Sequence, residues 1–251
     1  MRVACTRRIV LSLLAATLGA DGAVAAAQRP LAARAVPLDI LCAPQAAFAP
    51  PARTLRIAAG TDRTKALFAA GDAVIVNAGT AQGLRAGQHF YIRRVVEDRF
   101  ALRTSEAPPR SIHTPGWLTI VDTLADVSVA TVVEACDGVA EGDYLEPLVL
   151  PGPPTARPGG EPDYVRPGRI ILGPERRQLG AEGSLMVLDR GTDHGLHVGQ
   201  RLTIFRHTID GGPVVDIAEA VVTSTSPESA VIRIGRARDV VQAGDLVAIH
   251  R

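Results

Sequence analysis

The chain alternates short apolar runs with glycine-rich polar turns, and one such stretch occurs twice. The first copy spans residues 76–94, VNAGTAQGLRAGQHFYIRR, and the second spans 188–206, LDRGTDHGLHVGQRLTIFR. The apolar run entering each turn predicts one strand, and the alternating apolar positions after it predict another. The strands predicted in this way cover residues 73–76, 89–96, 185–188 and 201–207.

The turn of each copy contains three glycines spaced four residues apart. Because glycine adopts positive φ without a Cβ clash, such a turn can change direction twice and return the chain to a sheet. A later Gly-Asp pair marks a second turn, in which the Asp side chain caps the turn. The predicted structural turn residues are Gly79, Gly83, Gly87, Gly142, Asp143, Gly191, Gly195, Gly199, Gly244 and Asp245.

The density of the repeat indicates an internal duplication. Many short strands, Gly and Asp turns and the absence of a long helical period predict an all-β protein with two tandem antiparallel, SH3-like barrels. A shorter segment, 64–70 (TKALFAA), is predicted to form one or two helical turns. The predicted domains are a signal peptide at 1–27, an extended Ala/Pro-rich segment at 28–53, a first barrel at 54–150, a Pro-rich linker at 151–168 and a second barrel at 169–251.

The N-terminus has the three parts of a secretory signal. Arg2, Arg7 and Arg8 precede an apolar run at 9–20, and small residues at 23–27 supply a cleavage site. The alternative is an uncleaved anchor, although the run is short for a membrane span. We therefore expect an exported protein, periplasmic or extracellular, whose mature chain has no transmembrane segment.

The cysteines agree with export. Cys5 would leave with the signal, whereas Cys42 and Cys136 would remain in an oxidising compartment and are predicted to form a disulfide. The alternatives are two free buried thiols, or lipidation at Cys42. The residues before Cys42, Leu-Asp-Ile-Leu, lack the small side chains of a lipidation signal.

Composition narrows the possible ligands. Lys and Arg total 27 against 26 Asp and Glu, so no basic excess favours nucleic acid. Aromatic residues make up 4% of the chain, which leaves little surface for stacking on sugars or bases. Trp117 and Tyr91 are the candidate binding aromatics, although for Trp117 we favour a core position under the hairpin.

Candidate chemistry is sparse. His194 and His197 lie close in sequence to Asp189 and Asp193. Because His and Asp are ordinary zinc ligands, the four residues are a possible metal site. The matching positions of the first copy are occupied by Gln82, Arg85, Asn77 and Ala81. The metal set is therefore not duplicated, and we predict no metal. No nucleophile elbow, paired-carboxylate cleft or phosphate-binding loop is recognisable, so we predict no catalytic residue, no cofactor and no enzymatic activity.

The repeated pattern, V-x-N-x-G-x-x-x-G-L-x-x-G-Q-x-F-x-I-x-R followed by G-D, resembles the C-terminal domain of the flagellar assembly protein T family. It is carried here by Ile75, Asn77, Gly79, Gly83, Leu84, Gly87, Gln88, Phe90, Ile92 and Arg94. Similar units occur in uncharacterised exported bacterial proteins, some of them beside lysin-motif peptidoglycan-binding modules. The resemblance implies a scaffold fold and transfers no functional site.

Two functions remain in view. The first is a non-enzymatic cell-envelope adaptor that binds unknown envelope proteins through strand edges or loops, with 99–115 and 210–213 as candidate contact loops. These loops are equally compatible with plain solvated turns. The alternative is a peptidoglycan or polysaccharide binder, which would require exposed aromatics among Tyr91, Trp117, Tyr144 and Tyr164.

Overall fold

The computed structural model describes residues 36–96, 109–152, 159–173, 178–209 and 211–251. Regular structure in these ranges is antiparallel β, apart from the four-residue helix α1 (Leu38–Leu41) and two one-turn 3-10 helices at 80–82 and 192–194. The predicted signal peptide lies outside the described residues. None of the helices in the described part has the length and apolar character needed to cross a bilayer.

The first sheet has seven strands in the order β2-β4-β7-β6-β5-β9, with β1 pairing β6 from outside this path. Strands β3 and β8 form a separate two-stranded sheet. The strands are β1 (Gln45–Ala47), β2 (Ile57–Gly60), β3 (Leu67–Phe68), β4 (Ala73–Val76), β5 (His89–Val96), β6 (Arg110–Thr123), β7 (Ser128–Ala135), β8 (Val139–Ala140) and β9 (Tyr144–Pro147).

The two ends of this sheet approach each other. Arg56, just before β2, forms an isolated bridge with Tyr144 of β9. The Ile57 N–H donates to the Asp143 carbonyl at 2.9 Å, and the Leu145 N–H donates to the Leu55 carbonyl at 2.8 Å. The sheet curls around a core formed by alternate strand residues, because successive side chains of a strand face opposite sides.

The second sheet is a closed six-stranded antiparallel barrel in the order β10-β12-β15-β14-β13-β17. Strands β11 and β16 form a two-stranded sheet beside it. The strands are β10 (Pro162–Leu172), β11 (Leu179–Gly180), β12 (Leu185–Leu188), β13 (Arg201–His207), β14 (Val214–Thr225), β15 (Ala230–Ala237), β16 (Val241–Gln242) and β17 (Leu246–His250). Aliphatic side chains fill its interior, including Ile170, Met186 and Ile204.

The four strands predicted around the repeated turns are confirmed with the predicted bounds. The helical prediction for 64–70 is wrong, because Leu67 and Phe68 form β3, which pairs with β8. Burial of Phe68 in the first core overrides the local helical preference.

Two predicted loops are shorter than expected. Strand β10 begins at Pro162, inside the segment assigned to the linker, because its extended backbone pairs with His250 of β17. Residues 110–115 of the predicted 99–115 loop lie in β6, where they pair with β1 and β5. Residues 99–108 of that loop lie outside the described residues.

Candidate functional site

Six of the predicted turn glycines have the expected left-handed backbone. Gly83 and Gly195 end the 3-10 turns at φ values of +84° and +78°. Gly87 and Gly199, four residues later, have φ values of +87° and +88°. Gly142 and Gly244 are also left-handed. Residues with a Cβ are strained in this region, so these glycines set the direction of the chain.

At the first position of each copy, glycine is required for a different physical reason. Gly79 and Gly191 have extended φ values of −141° and −135°. A Cβ at Gly79 would overlap the Leu124 carbonyl oxygen, and one at Gly191 would overlap that of Ser226. Both glycines therefore allow close approach of the chain to the β6–β7 and β14–β15 turns, rather than a positive φ.

Each Gly-Asp turn is held by an arginine from the repeated stretch. In the first sheet, Arg94 Nε donates to Asp143 Oδ1 at 2.6 Å and Nη2 donates to Oδ2 at 2.7 Å. In the closed barrel, Arg206 makes the same two bonds to Asp245, at 2.5 and 2.8 Å. The carboxylates raise the pKa of both arginines, so the arginine side of each pair stays cationic.

We call these pairs the Arg–Asp clamps. Each aspartate is buried and also accepts a backbone N–H, from Ala140 to Asp143 and from Gln242 to Asp245. The sequence interpretation identified the aspartates as turn residues and missed their partners. The partners could have been found from the sequence, because Arg94 and Arg206 recur at matching positions of the two copies, as the aspartates do.

The predicted Cys42–Cys136 disulfide is confirmed. It joins the end of α1 to the residues that follow β7, across a sequence separation of 94. The predicted extended segment at 28–53 therefore contains a docked part. We define residues 37–48, which comprise α1, Cys42 and β1, as the strap.

The two candidate binding aromatics are brought together, but beneath the strap. Tyr91 of β5 and Trp117 of β6 are direct antiparallel partners. They are 7% and 5% exposed, and they pack with the buried Leu41 of α1. The ring of Tyr91 is also covered by the Arg93 guanidinium, 4.1 Å from its centroid. A sugar could stack on either ring only after the strap moved.

Arg93 is itself nearly fully buried. It donates to the Thr114 hydroxyl and, at 3.3 Å, to Glu146 Oε2. Burial lowers the pKa of Arg93, while the Glu146 carboxylate opposes that shift. Thr114 in turn donates to the Ala43 carbonyl of the strap at 3.0 Å. Arg93 therefore links the first sheet to the strap through Thr114.

The other two tyrosines lie elsewhere. Tyr144 is buried, and its hydroxyl lacks a hydrogen-bond partner among the described residues. Burial, followed by the charge of Glu146, raises the Tyr144 pKa. Tyr164 lies on β10, where its hydroxyl donates to Asp216 at 2.9 Å and its ring packs edge-on against Phe205. The four candidate aromatic residues, Tyr91, Trp117, Tyr144 and Tyr164, therefore do not line a single groove.

Of the residues considered as zinc ligands, His194 and Asp189 accept hydrogen bonds from backbone N–H groups. His194 Nδ1 accepts the Gly191 N–H at 3.2 Å, and Asp189 Oδ1 accepts the Arg169 N–H at 2.6 Å. Within the described ranges, no group of three or more His, Cys, Asp or Glu residues is arranged to hold a metal ion.

The hairpin between β13 and β14 projects aliphatic side chains into solvent. Ile209 is 71% exposed, and Val214 and Val215 at the start of β14 are also exposed. The tip turns at Gly211, which has a φ of +71°. Asp210, part of the predicted contact loop, lies outside the described residues. We call Ile209, Val214 and Val215 the hairpin-tip surface.

No protein-family model matches this sequence, and a search of curated proteins likewise gives no match.

Proposed function

We propose that the protein is a non-enzymatic, exported cell-envelope protein that acts as an assembly or adaptor module by binding other proteins. The observation that carries the proposal is the use made of the repeated charged residues. Arg94 with Asp143, and Arg206 with Asp245, hold Gly-Asp turns in place. The chemistry that the chain repeats is therefore used for rigidity, as a scaffold requires.

We also propose that the two sheets are copies of one SH3-like unit, the first at 54–150 and the second beginning with β10 at Pro162. Their strand orders, β2-β4-β7-β6-β5-β9 and β10-β12-β15-β14-β13-β17, correspond strand for strand. The pairing register corresponds as well: Ile57 opposes Val76 where Ile170 opposes Leu188. This correspondence supports the scaffold family suggested by the resemblance to the flagellar assembly protein T domain.

Export is supported by the disulfide, since disulfides form and persist in oxidising compartments. The proposal assigns residues 1–27 to a signal peptide and places the mature chain in the periplasm or outside the cell.

The proposed contact surface is the hairpin-tip surface. Exposed aliphatic side chains close to one turn favour protein contact, and the closed barrel that carries the turn keeps the ordering cost low. The exposed Val165 lies beside Tyr164, whose hydroxyl bonds to Asp216, two residues after Val214. The same end of the barrel thus offers a further aliphatic side chain to a partner.

The test compares two matched variants in capture from an envelope extract. Ile209→Asp with Val215→Asp places charge on the hairpin-tip surface, whereas Val221→Asp places it at another exposed position of β14. We expect the tip variant to lose a specific protein partner that the wild-type protein and the Val221 variant retain. Equal capture by all three proteins would refute this surface.

A parallel sedimentation with purified cell wall tests the alternative function. An adaptor stays in the supernatant, whereas a peptidoglycan binder co-pellets in a saturable manner. Saturable co-pelleting of the wild-type protein would overturn the adaptor proposal.

A further inference from the structure

The strap lies between the two sheets and contacts both. On the side of the first sheet, Leu41 packs on Tyr91 and Trp117, and β1 pairs with β6 over three residues. On the side of the closed barrel, Ile40 and Ala43 pack against the barrel exterior. The barrel residues that the strap covers are Leu185 and Val231, and, under Ala46 and Phe48, Ile171, Leu172 and Val187.

An ion pair joins the strap to the same face of the barrel. Asp39 Oδ2 lies 2.7 Å from Arg233 Nη1 of β15. Arg233 opposes Leu185 in the pairing of β15 with β12, so the charge contact borders the apolar one. The contact between the strap and the barrel therefore combines aliphatic packing with one ion pair.

The covered barrel surface differs from its counterpart on the first sheet. Leu172, Val187 and Val231 form a row across three paired strands, and all three are buried. The row at the same register in the first sheet is Ala59, Ile75 and Val129, and all three are partly exposed. Leu172 is larger than Ala59, its counterpart, and the whole row is more deeply buried where the strap lies.

The aromatic patch under the strap belongs to the first sheet, and the matching positions of the barrel are polar. Tyr91 and Trp117 are partners beneath the strap in the first sheet, and the partners at the same register in the barrel are Thr203 and Glu219. Glu219 is 62% exposed on its side chain. At these matched positions, the strap covers Tyr91 and Trp117 on the first sheet and Leu172 on the barrel, so the sequence differences between the two sheets agree with this docking.

The disulfide is the covalent attachment of the strap. Cys42 and Cys136 are both partly exposed and line a groove of about 620 Å³ between the sheets. Other residues of the groove are Asp39, Ser111, His113, Asp137 and Leu185. The disulfide therefore borders the groove through which a small thiol would approach it.

We propose that Cys42–Cys136 is a redox latch, which holds the strap between the sheets when oxidised and releases it when a dithiol reduces it. One thiolate of the dithiol attacks a cysteine Sγ, the Cys–Cys bond breaks, and the departing thiolate takes up a proton. The second thiol of the reagent resolves the mixed disulfide. Two electrons pass to the pair, which becomes two thiols, and the reagent becomes a disulfide.

Opening the latch has a defined structural consequence. The strap then keeps its short β1 ladder, its aliphatic contacts, the hydrogen bond from Thr114 to Ala43 and the Asp39 ion pair, and the chain entropy of a free segment opposes them. Release exposes Trp117 on one sheet and Leu185, Val187 and Val231 on the other. The sheets themselves stay folded, since their cores do not include the strap.

The test uses the full chain carrying Cys5→Ser, so that only the latch pair reacts. Trp117 is the single tryptophan and reports directly on the strap. On reduction with a dithiol, we expect its emission to move to longer wavelength. We also expect amides 45–47 to exchange hydrogen about tenfold faster or more, while those of Leu202 and Ile204 stay protected.

A Cys42→Ser, Cys136→Ser double variant provides the second arm. It should show the reduced-state emission and exchange without any reagent, and should not respond to the dithiol. The latch is refuted if emission and exchange at 45–47 stay unchanged once thiol titration shows both cysteines free. Loss of protection in β7 on reduction would also refute it, because the first sheet would then unfold rather than release the strap.

Discussion

Arg94 and Asp143 are 49 residues apart in the chain and meet through two parallel hydrogen bonds of 2.6 and 2.7 Å. Nη2 of Arg94 also donates to the Gly138 carbonyl at 2.9 Å, so one side chain fixes both the turn and the residues before it. The Arg206–Asp245 clamp repeats this arrangement in the closed barrel, where Nη2 donates to the Val240 carbonyl at 2.5 Å.

Arg94→Ala should lower the free energy of unfolding by about 3–5 kcal/mol, because it leaves the buried Asp143 carboxylate without its counter-ion. Arg94→Lys should recover only part of the loss, since an ammonium group cannot make both parallel bonds. Denaturant titration followed by Trp117 fluorescence measures the effect in the first sheet. Arg85→Ala, at an exposed position of the glycine-rich turn before β5, is the control, and an equal loss in that variant would contradict the clamp.

The two kinds of turn glycine should respond differently to substitution. Gly83→Ala should cost about 1–2 kcal/mol, since its φ of +84° is strained for alanine but open space surrounds the new methyl group. Gly79→Ala should cost more, because the methyl group would overlap the Leu124 carbonyl oxygen and displace the neighbouring turn. Thermal unfolding of the two variants ranks them. A milder Gly79 variant would show that the β6–β7 turn can move away without cost.

Stability should fall on mild acidification. Burial lowers the pKa of His89 and of His250 below the ordinary value of 6.5, so protonation favours the unfolded chain. Their contribution is fully present above about pH 6.5 and is lost as the pH falls from there through the folded-state pKa values. Melting temperatures at about pH 7.5 and about pH 5.5 give the slope. The His89→Gln, His250→Gln double variant should have a shallower slope, and an unchanged slope would exclude these histidines as its source.

Removing the disulfide should destabilise the first sheet and its strap together. The Cys42→Ser, Cys136→Ser double variant should lose about 2–4 kcal/mol of unfolding free energy, mainly through greater freedom of the unfolded chain. Denaturant midpoints, read through Trp117, measure the loss. A midpoint equal to that of the oxidised protein would show that the strap contacts alone determine stability.

The strands next to the repeated turns could be predicted from sequence because their signals are local. Apolar runs at 73–76 and 185–188 and left-handed glycines such as Gly83 determine geometry within a few residues. The disulfide was also predictable, since only two cysteines lie outside the predicted signal peptide. In each case the necessary information lies in residue type and short spacing.

The missed features depend on contacts between distant residues. Nothing near Arg94 indicates that it will reach Asp143, and nothing in the Ala/Pro-rich composition indicates that residues 37–48 dock between two sheets. Leu67 and Phe68 carry a helical local pattern but pair with β8, because a buried Phe68 outweighs a weak propensity. Comparison of the two copies could have revealed the docking, since Tyr91 and Trp117 correspond to Thr203 and Glu219.

The adaptor function is tested most directly by placing a photoreactive amino acid at position 209 of the hairpin-tip surface, with position 221 on β14 as the control, and irradiating living cells. We expect a discrete protein adduct from position 209 and none from position 221. Equal labelling from both positions, or no protein adduct from position 209, would contradict it.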